Sequence, residues 1–254
     1  GRPFRLEAHL DRLAASVRTL GLPAPGSGWR AEVAAAIADL AGRLSTGRAR
    51  ARVTLTAGDA SPDADPAAPP AGPPRLWVRV TPYGGPDGAA RRSGISATLP
   101  EGDDARAAPA RRHKTLAVDA SLRVLRAAHA AGYDEGLLAT GRGRLLGGTR
   151  SNLFLVVDGV IWTPDLDSGC LPGIIRHLVL DELAPAVGAT AQERTLAPGD
   201  LERAAEAFVS NSLAGILPLA RIGSRALSSA RKGSVTSCIM ESYNSVVAAE
   251  CGPG

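Results

Sequence analysis

Lysine occurs at only two positions, Lys114 and Lys232, in a chain whose other basic side chains are all arginine. A guanidinium stays protonated in any protein setting, whereas an amine can lose its proton and attack a carbonyl. A sequence that uses Arg almost everywhere keeps Lys where only Lys will serve. Lys232 lies in a polar tail with no evident role. Lys114, within Arg111-Arg112-His113-Lys114-Thr115-Leu116, reads in two ways. It is one charge of a solvated basic cluster, or it is a Schiff-base amine whose ordinary pKa of about 10.4 is lowered by neighbouring cations and burial.

Other chemistry finds less support. The four histidines, His9, His113, His129 and His177, have no metal-ligand spacing, and no metal is expected. Cys170, Cys238 and Cys251 are too few and too odd in number for a disulfide framework, which points to a reducing, cytoplasmic setting. Cys170 is expected to be a packed thiol rather than a reactive one. The net charge of +4 is spread along helical patterns instead of forming one basic run, so nucleic acid is not the expected partner. A phosphorylated cofactor and a carboxylate substrate suit the same excess. The apolar stretch Leu153 to Val157 is far shorter than the roughly 20 residues of a membrane span, and no membrane partner or secretory leader is expected.

The elements that must position these residues follow from periodicity. Leu6, Leu10, Leu13, Val17 and Leu20 recur at helical spacing over Phe4 to Leu20, and a second helix is expected from about Trp29 to Leu44. Arg52 to Ala57 and Leu76 to Val80 read as strands, separated by a Pro/Ala-rich loop over 59–74. Ile95 to Leu99 reads as the last strand of a first domain, before an inter-domain linker. Beyond it come a helix over Leu116 to Ala130, a strand at Gly136 to Ala139, and a hairpin of Leu153 to Val157 with Val160 to Trp162 about Asp158-Gly159. A helix over Ile174 to Leu183, a strand at Thr190 to Arg194, a short helix at Pro198 to Ala205 and strands at Ala207 to Val209 and Ile216 to Ile222 complete the pattern. At 44% hydrophobic and only 4% aromatic content, the core is built from aliphatic residues, as suits an α/β fold. The expected organisation is a small N-terminal domain over 1–108, a C-terminal domain over 109–227, and a tail over 228–254 of uncertain structure.

Six blocks occur in order: Phe4 to Leu13, His113-Lys114-Thr115-Leu116, Gly148-Thr149-Arg150-Ser151-Asn152-Leu153-Phe154, Trp162-Thr163-Pro164, Gly169-Cys170-Leu171-Pro172-Gly173-Ile174-Ile175-Arg176, and Asn211 to Pro218. Together they resemble the class IV aminotransferases, the fold-type IV pyridoxal-phosphate enzymes, over roughly Gly1 to Ile222. That family includes branched-chain aminotransferases, D-amino-acid transaminases and 4-amino-4-deoxychorismate lyases. The resemblance implies a two-domain α/β fold whose small N-terminal domain is expected to be truncated here, either because the sequence is incomplete or because strands that precede Gly1 in the family have been lost. It implies pyridoxal 5'-phosphate on Lys114, and a cofactor phosphate held by Arg12, the amides of Ile174 and Ile175, and Ser212, with Thr149 among the cofactor contacts. A helix N-terminus is a physically sound phosphate seat. The amides of Leu213 and Ala214 are expected to receive a substrate carboxylate. A homodimer acting on a small amino substrate is also implied.

One position departs from the pattern. Gly147 stands where the family usually carries a glutamate that pairs with the cofactor's ring nitrogen, so the electron sink is expected to be weak. A lyase that leaves an aromatic product tolerates this better than a transaminase, and Asn211-Ser212-Leu213 is worded more like the lyases. Three readings follow: a lyase resembling 4-amino-4-deoxychorismate lyase, an aminotransferase for branched-chain or D-amino acids, and a degenerate or cofactor-independent homologue.

Overall fold

The computed structural model describes residues 2–45, 47–59, 63, 65, 72–86, 88–100 and 112–252. Arg111 and most of the 59–74 loop therefore lie outside the described residues. The chain divides into two compact units, Gly1–Gly85 with Val247–Gly254, and Pro86–Val246.

In the first unit, helices α1 (Leu6–Thr19) and α2 (Trp29–Gly42) accompany the antiparallel pair β1 (Ala49–Thr56) and β2 (Arg75–Pro82). Leu10, Val33 and Ile37 form its core, with Leu6, Trp29, Val53, Leu76 and Val78 packed around them. Alternation along the strands leaves Arg50, Arg52 and Arg79 on the opposite face, with Trp77 62% exposed. Arg52 stands directly across from Arg79, an arrangement that only a solvated face tolerates.

The second unit is a mixed nine-stranded sheet. Along the chain it contains α3 (Gly88–Ser93), β3 (Ile95–Thr98), α4 (Asp119–Ala130), β4 (Glu135–Ala139), β5 (Leu145–Gly148), β6 (Asn152–Val157) and β7 (Val160–Pro164). Then come α5 (Ile174–Leu178), which runs through a wider turn at Val179–Leu183 into α6 (Ala184–Ala186), β8 (Thr190–Arg194), α7 (Asp200–Arg203), β9 (Glu206–Asn211), β10 (Gly215–Ile222), β11 (Arg225–Ala226) and α8 (Val235–Cys251). The strand order is β5-β4-β3-β10-β9-β6-β7-β8, with β11 on β10. One face is aliphatic, built from Leu153, Leu155, Val157, Ala207, Val209, Leu217 and Leu219. The other holds the stacked rings of Phe154 and Phe208, 4.6 Å apart. Asp158 and Gly159 both take positive φ, 50° and 77°, as the two-residue turn between β6 and β7 requires.

Three expectations change. Ile95–Thr98 does not close the first domain: it pairs in parallel with both β10 and β4, so the unit boundary falls near Gly85 and not at 108. The helix α3 and the strand β5 were not foreseen, the latter because two glycines end it. The tail after Ser228 is ordered as α8 rather than indeterminate. The buried Glu206 carboxylate accepts hydrogen bonds from the amides of Val235 (3.1 Å) and Thr236 (2.8 Å), supplying the acceptors that a helix start lacks. Ile239 and Tyr243 are buried, and the Tyr243 ring lies against Gly215 where a Cβ would stand.

Replacing Glu206 with Ala leaves two amides at the start of α8 without an acceptor, and should lower the unfolding free energy by about 1–3 kcal/mol. Glu206→Gln, which keeps an oxygen acceptor, should recover part of this loss in urea denaturation.

Candidate active site

Asn152, the first residue of β6, connects two of the quoted blocks and lies beside the start of a third. Its Nδ2 donates to the carbonyl of Leu171 at 2.9 Å, and its Oδ1 lies against Gly173 where a Cβ would stand. In the sheet it is paired with Ser210 of β9, one residue before Asn211. One side chain thus fixes the Leu171-Pro172-Gly173 turn against the ends of two neighbouring strands. Any larger residue at 173 would have to displace the carboxamide.

Gly173 is the extended N-cap residue of α5 (φ −75°, ψ 138°). Ile174 and Ile175 follow as the first two helical residues, where the helix itself supplies no acceptor for the amides. Both side chains are buried, which sets the direction of the turn. Arg176 holds the helix from behind: it is fully buried, donates through Nη2 to the Pro164 carbonyl (2.7 Å), and pairs with Glu193 of β8.

The segment leading into the turn is held by Asp165. Burial pulls its carboxyl upward, but the Thr195 hydroxyl, the Ser168 hydroxyl and amide, and the charge of Arg144 outweigh this and bring it below its ordinary value of 3.8. Cys170 is buried with its Sγ near the carbonyls of Pro164 and Asp165, and burial raises its thiol above the ordinary range despite Arg176. It is a packed thiol, as expected.

A second carboxylate, which the sequence pattern did not single out, organises the preceding turn. Glu135 is buried at the start of β4 and accepts from the amides of Gly136 and Thr149 (3.1 Å each), the Thr149 hydroxyl, and the Ser151 hydroxyl (3.0 Å). Thr149, expected among the cofactor contacts, directs its hydroxyl to Glu135 and acts as a positioning residue. Gly147 has φ +138°, and a Cβ on it would stand 2.7 Å from the Ser151 carbonyl. The backbone itself, and not only the missing side chain, departs from what a glutamate would adopt.

Lys114 lies on the stretch entering α4, next to Arg112, whose guanidinium pairs with Asp167 (3.2 Å) in the loop before Gly173. This is an exposed pair and a weak tether. The burial expected for Lys114 is not present: its side chain is exposed. Ser212 and Leu213 are exposed in the turn between β9 and β10. The amides of Leu213 and Ala214 both donate to Asn211 Oδ1, at 2.9 and 2.8 Å, so the donors expected for a substrate carboxylate are engaged within the turn. Arg12 belongs to the first unit, on α1, where burial depresses its pKa. Among the described residues, no group of three or more His, Cys, Asp or Glu side chains is placed to hold a metal, and no helix is long and apolar enough to cross a membrane.

The profile of the family described as amino-transferase class IV matches residues 1–222. Over 112 residues the chain is 35% identical to the branched-chain-amino-acid aminotransferase of Escherichia coli K12, a stretch covering 44% of this chain and 36% of that protein. The chain therefore matches little more than a third of that relative's length. The crystal structure of an Escherichia coli branched-chain amino acid aminotransferase superposes with a TM-score of 0.81, covering 96% of this chain and 79% of that one at 28% identity. A Legionella pneumophila structure described as a candidate 4-amino-4-deoxychorismate lyase gives a TM-score of 0.79 at 21% identity, covering 93% and 84%, a likeness of fold alone.

Two outcomes test this geometry. Gly173→Ala should destabilise the chain by about 1–3 kcal/mol through overpacking, and adding Asn152→Ala should cost less than the sum of the two single losses, read by a double-mutant cycle in urea. Asp165 has a lowered folded pKa, so its contribution is complete above pH 3.8 and disappears as pH falls through the folded value. Asp165→Asn should therefore flatten the acid limb of the stability curve while changing its slope little near neutrality.

Proposed function

The chain belongs to the amino-transferase class IV family, and on that premise we propose that it is a pyridoxal-phosphate-dependent lyase resembling 4-amino-4-deoxychorismate lyase, releasing pyruvate and leaving 4-aminobenzoate. Gly147 carries this reading. Its positive φ, and the Ser151 carbonyl that a Cβ would meet at 2.7 Å, disfavour any side chain at this position, and the resemblance implies that a carboxylate for the cofactor's ring nitrogen would come from here. The residues fit the other end of the cofactor, where a helix start without intrinsic acceptors follows a turn held by Asn152.

When bound, pyridoxal phosphate supplies an electron-withdrawing ring that acidifies the carbon bearing the substrate amine. Transamination needs that withdrawal at full strength in both half-reactions. Loss of an enolpyruvyl group that leaves an aromatic ring has product stability to draw on, so a weaker sink suffices.

The chain's own residues take the following parts. Lys114 would hold the cofactor through its amine; once the substrate amine has displaced it, the freed amine would take the proton from the carbon bearing the substrate amine and return it to the methylene carbon of the departing enolpyruvyl group as the C–O bond breaks. The amides of Ile174 and Ile175 and the Ser212 hydroxyl would receive the phosphate. Leu213 and Ala214 receive the substrate carboxylate by exchanging their bonds to Asn211 Oδ1 for bonds to the ligand. A homodimer belongs to the same proposal, supported by the exposed apolar side chains Leu116, Val118 and Leu122 that follow Lys114.

An aminotransferase is the second reading, favoured by the 35% identity to the Escherichia coli relative. Purified protein with pyridoxal phosphate and 4-amino-4-deoxychorismate should release pyruvate, and Lys114→Ala should abolish that release together with the visible absorbance of the bound cofactor. With an amino donor and 2-oxoglutarate, no glutamate should form. Glutamate without pyruvate would replace the lyase by the aminotransferase, and a protein that stays colourless with added cofactor would overturn both.

A further inference from the structure

The second unit also holds a cleft of about 230 Å3 where α3, β10 and α8 meet, lined among others by Arg91, Arg92, Pro218, Ala230, Met240 and Asn244. Neither arginine has a carboxylate partner among the described residues, and no carboxylate lines the cleft. Arg91 donates through Nη2 to the Ala214 carbonyl at 3.3 Å. That bond holds the guanidinium plane in place and leaves its other donors for a ligand. Asn244 adds a carboxamide from α8, while Pro218, Ala230 and Met240 form an apolar wall.

The chemistry of this lining is selective. A planar carboxylate matches the guanidinium fork with two parallel hydrogen bonds. A compact inorganic anion would leave the apolar wall wet, whereas an apolar body beside the charge covers it. At roughly 30 Å3 per water, the volume equals that of about seven or eight waters, below the range of drug-sized pockets. We propose that the cleft binds a small monocarboxylate with an apolar body, such as an aromatic or branched aliphatic acid. The assignment does not rest on the catalytic reading, because the cleft is lined by none of the phosphate-turn residues, although Arg91 touches the carbonyl of Ala214.

Met240 is the chain's sole methionine, so a protein carrying a 13C-labelled methionine methyl reports on the cleft through a single resonance. Titration of the full chain with benzoate should shift this resonance saturably, while the uncharged isostere benzamide and inorganic phosphate should leave it in place. Arg92→Ala, at an exposed position, should weaken the benzoate Kd at least about tenfold with the circular dichroism spectrum unchanged; Arg91→Ala should do the same. An unmoved resonance, an equal response to benzamide, saturation by phosphate alone, or an unaltered Kd in both variants would overturn the assignment.

Discussion

The close approach of the Asn152 carboxamide to Gly173 is the constraint on which the rest of the second unit's candidate site depends. The side chain bonds to the Leu171 carbonyl and fills the space where any other residue at 173 would place its Cβ. Because Asn152 is also paired with Ser210 in the sheet, the position of the turn is set by strand register. A slip of one residue would turn Asn152 to the other face and release the turn. The helix start at Ile174 is thus aimed by the sheet, while Arg176 secures the same helix from its buried side.

Buried carboxylates do comparable work elsewhere. Glu135 gathers four donors from the Gly136 and Thr149–Ser151 region, and Glu206 supplies acceptors for the start of α8. Both hold backbone rather than substrate, which makes them positioning groups. Gly147 lies in the strand adjoining the turn that Glu135 stabilises, and its positive φ is part of the same local geometry. The missing side chain at 147 is therefore built into the backbone, and the chemistry open to the chain is narrowed accordingly.

Much of this was readable from residue types and spacing. The periodic leucines of α1 and the Asp158-Gly159 turn each state their structure locally, because helix phase and turn conformation depend on a few neighbouring residues. What was not readable depends on distant partners. Ile95–Thr98 looks like the end of a domain until β10 and β4 flank it. The tail after Ser228 looks structureless until Glu206, some thirty residues earlier, meets its amides. The anchoring roles of Asn152 and Glu135 were hidden for the same reason, although Asn152 stood within one of the quoted blocks. The exposure of Lys114 and the engagement of the Leu213 and Ala214 amides by Asn211 are likewise matters of packing that spacing does not convey.

The central claim is that the amine of Lys114 is the group that carries the cofactor. Incubation of the full chain with pyridoxal phosphate, borohydride reduction and peptide mass spectrometry would test it most directly. The account predicts a single stoichiometric phosphopyridoxyl adduct on Lys114. An adduct on Lys232, or a chain left unmodified at cofactor saturation, would contradict it.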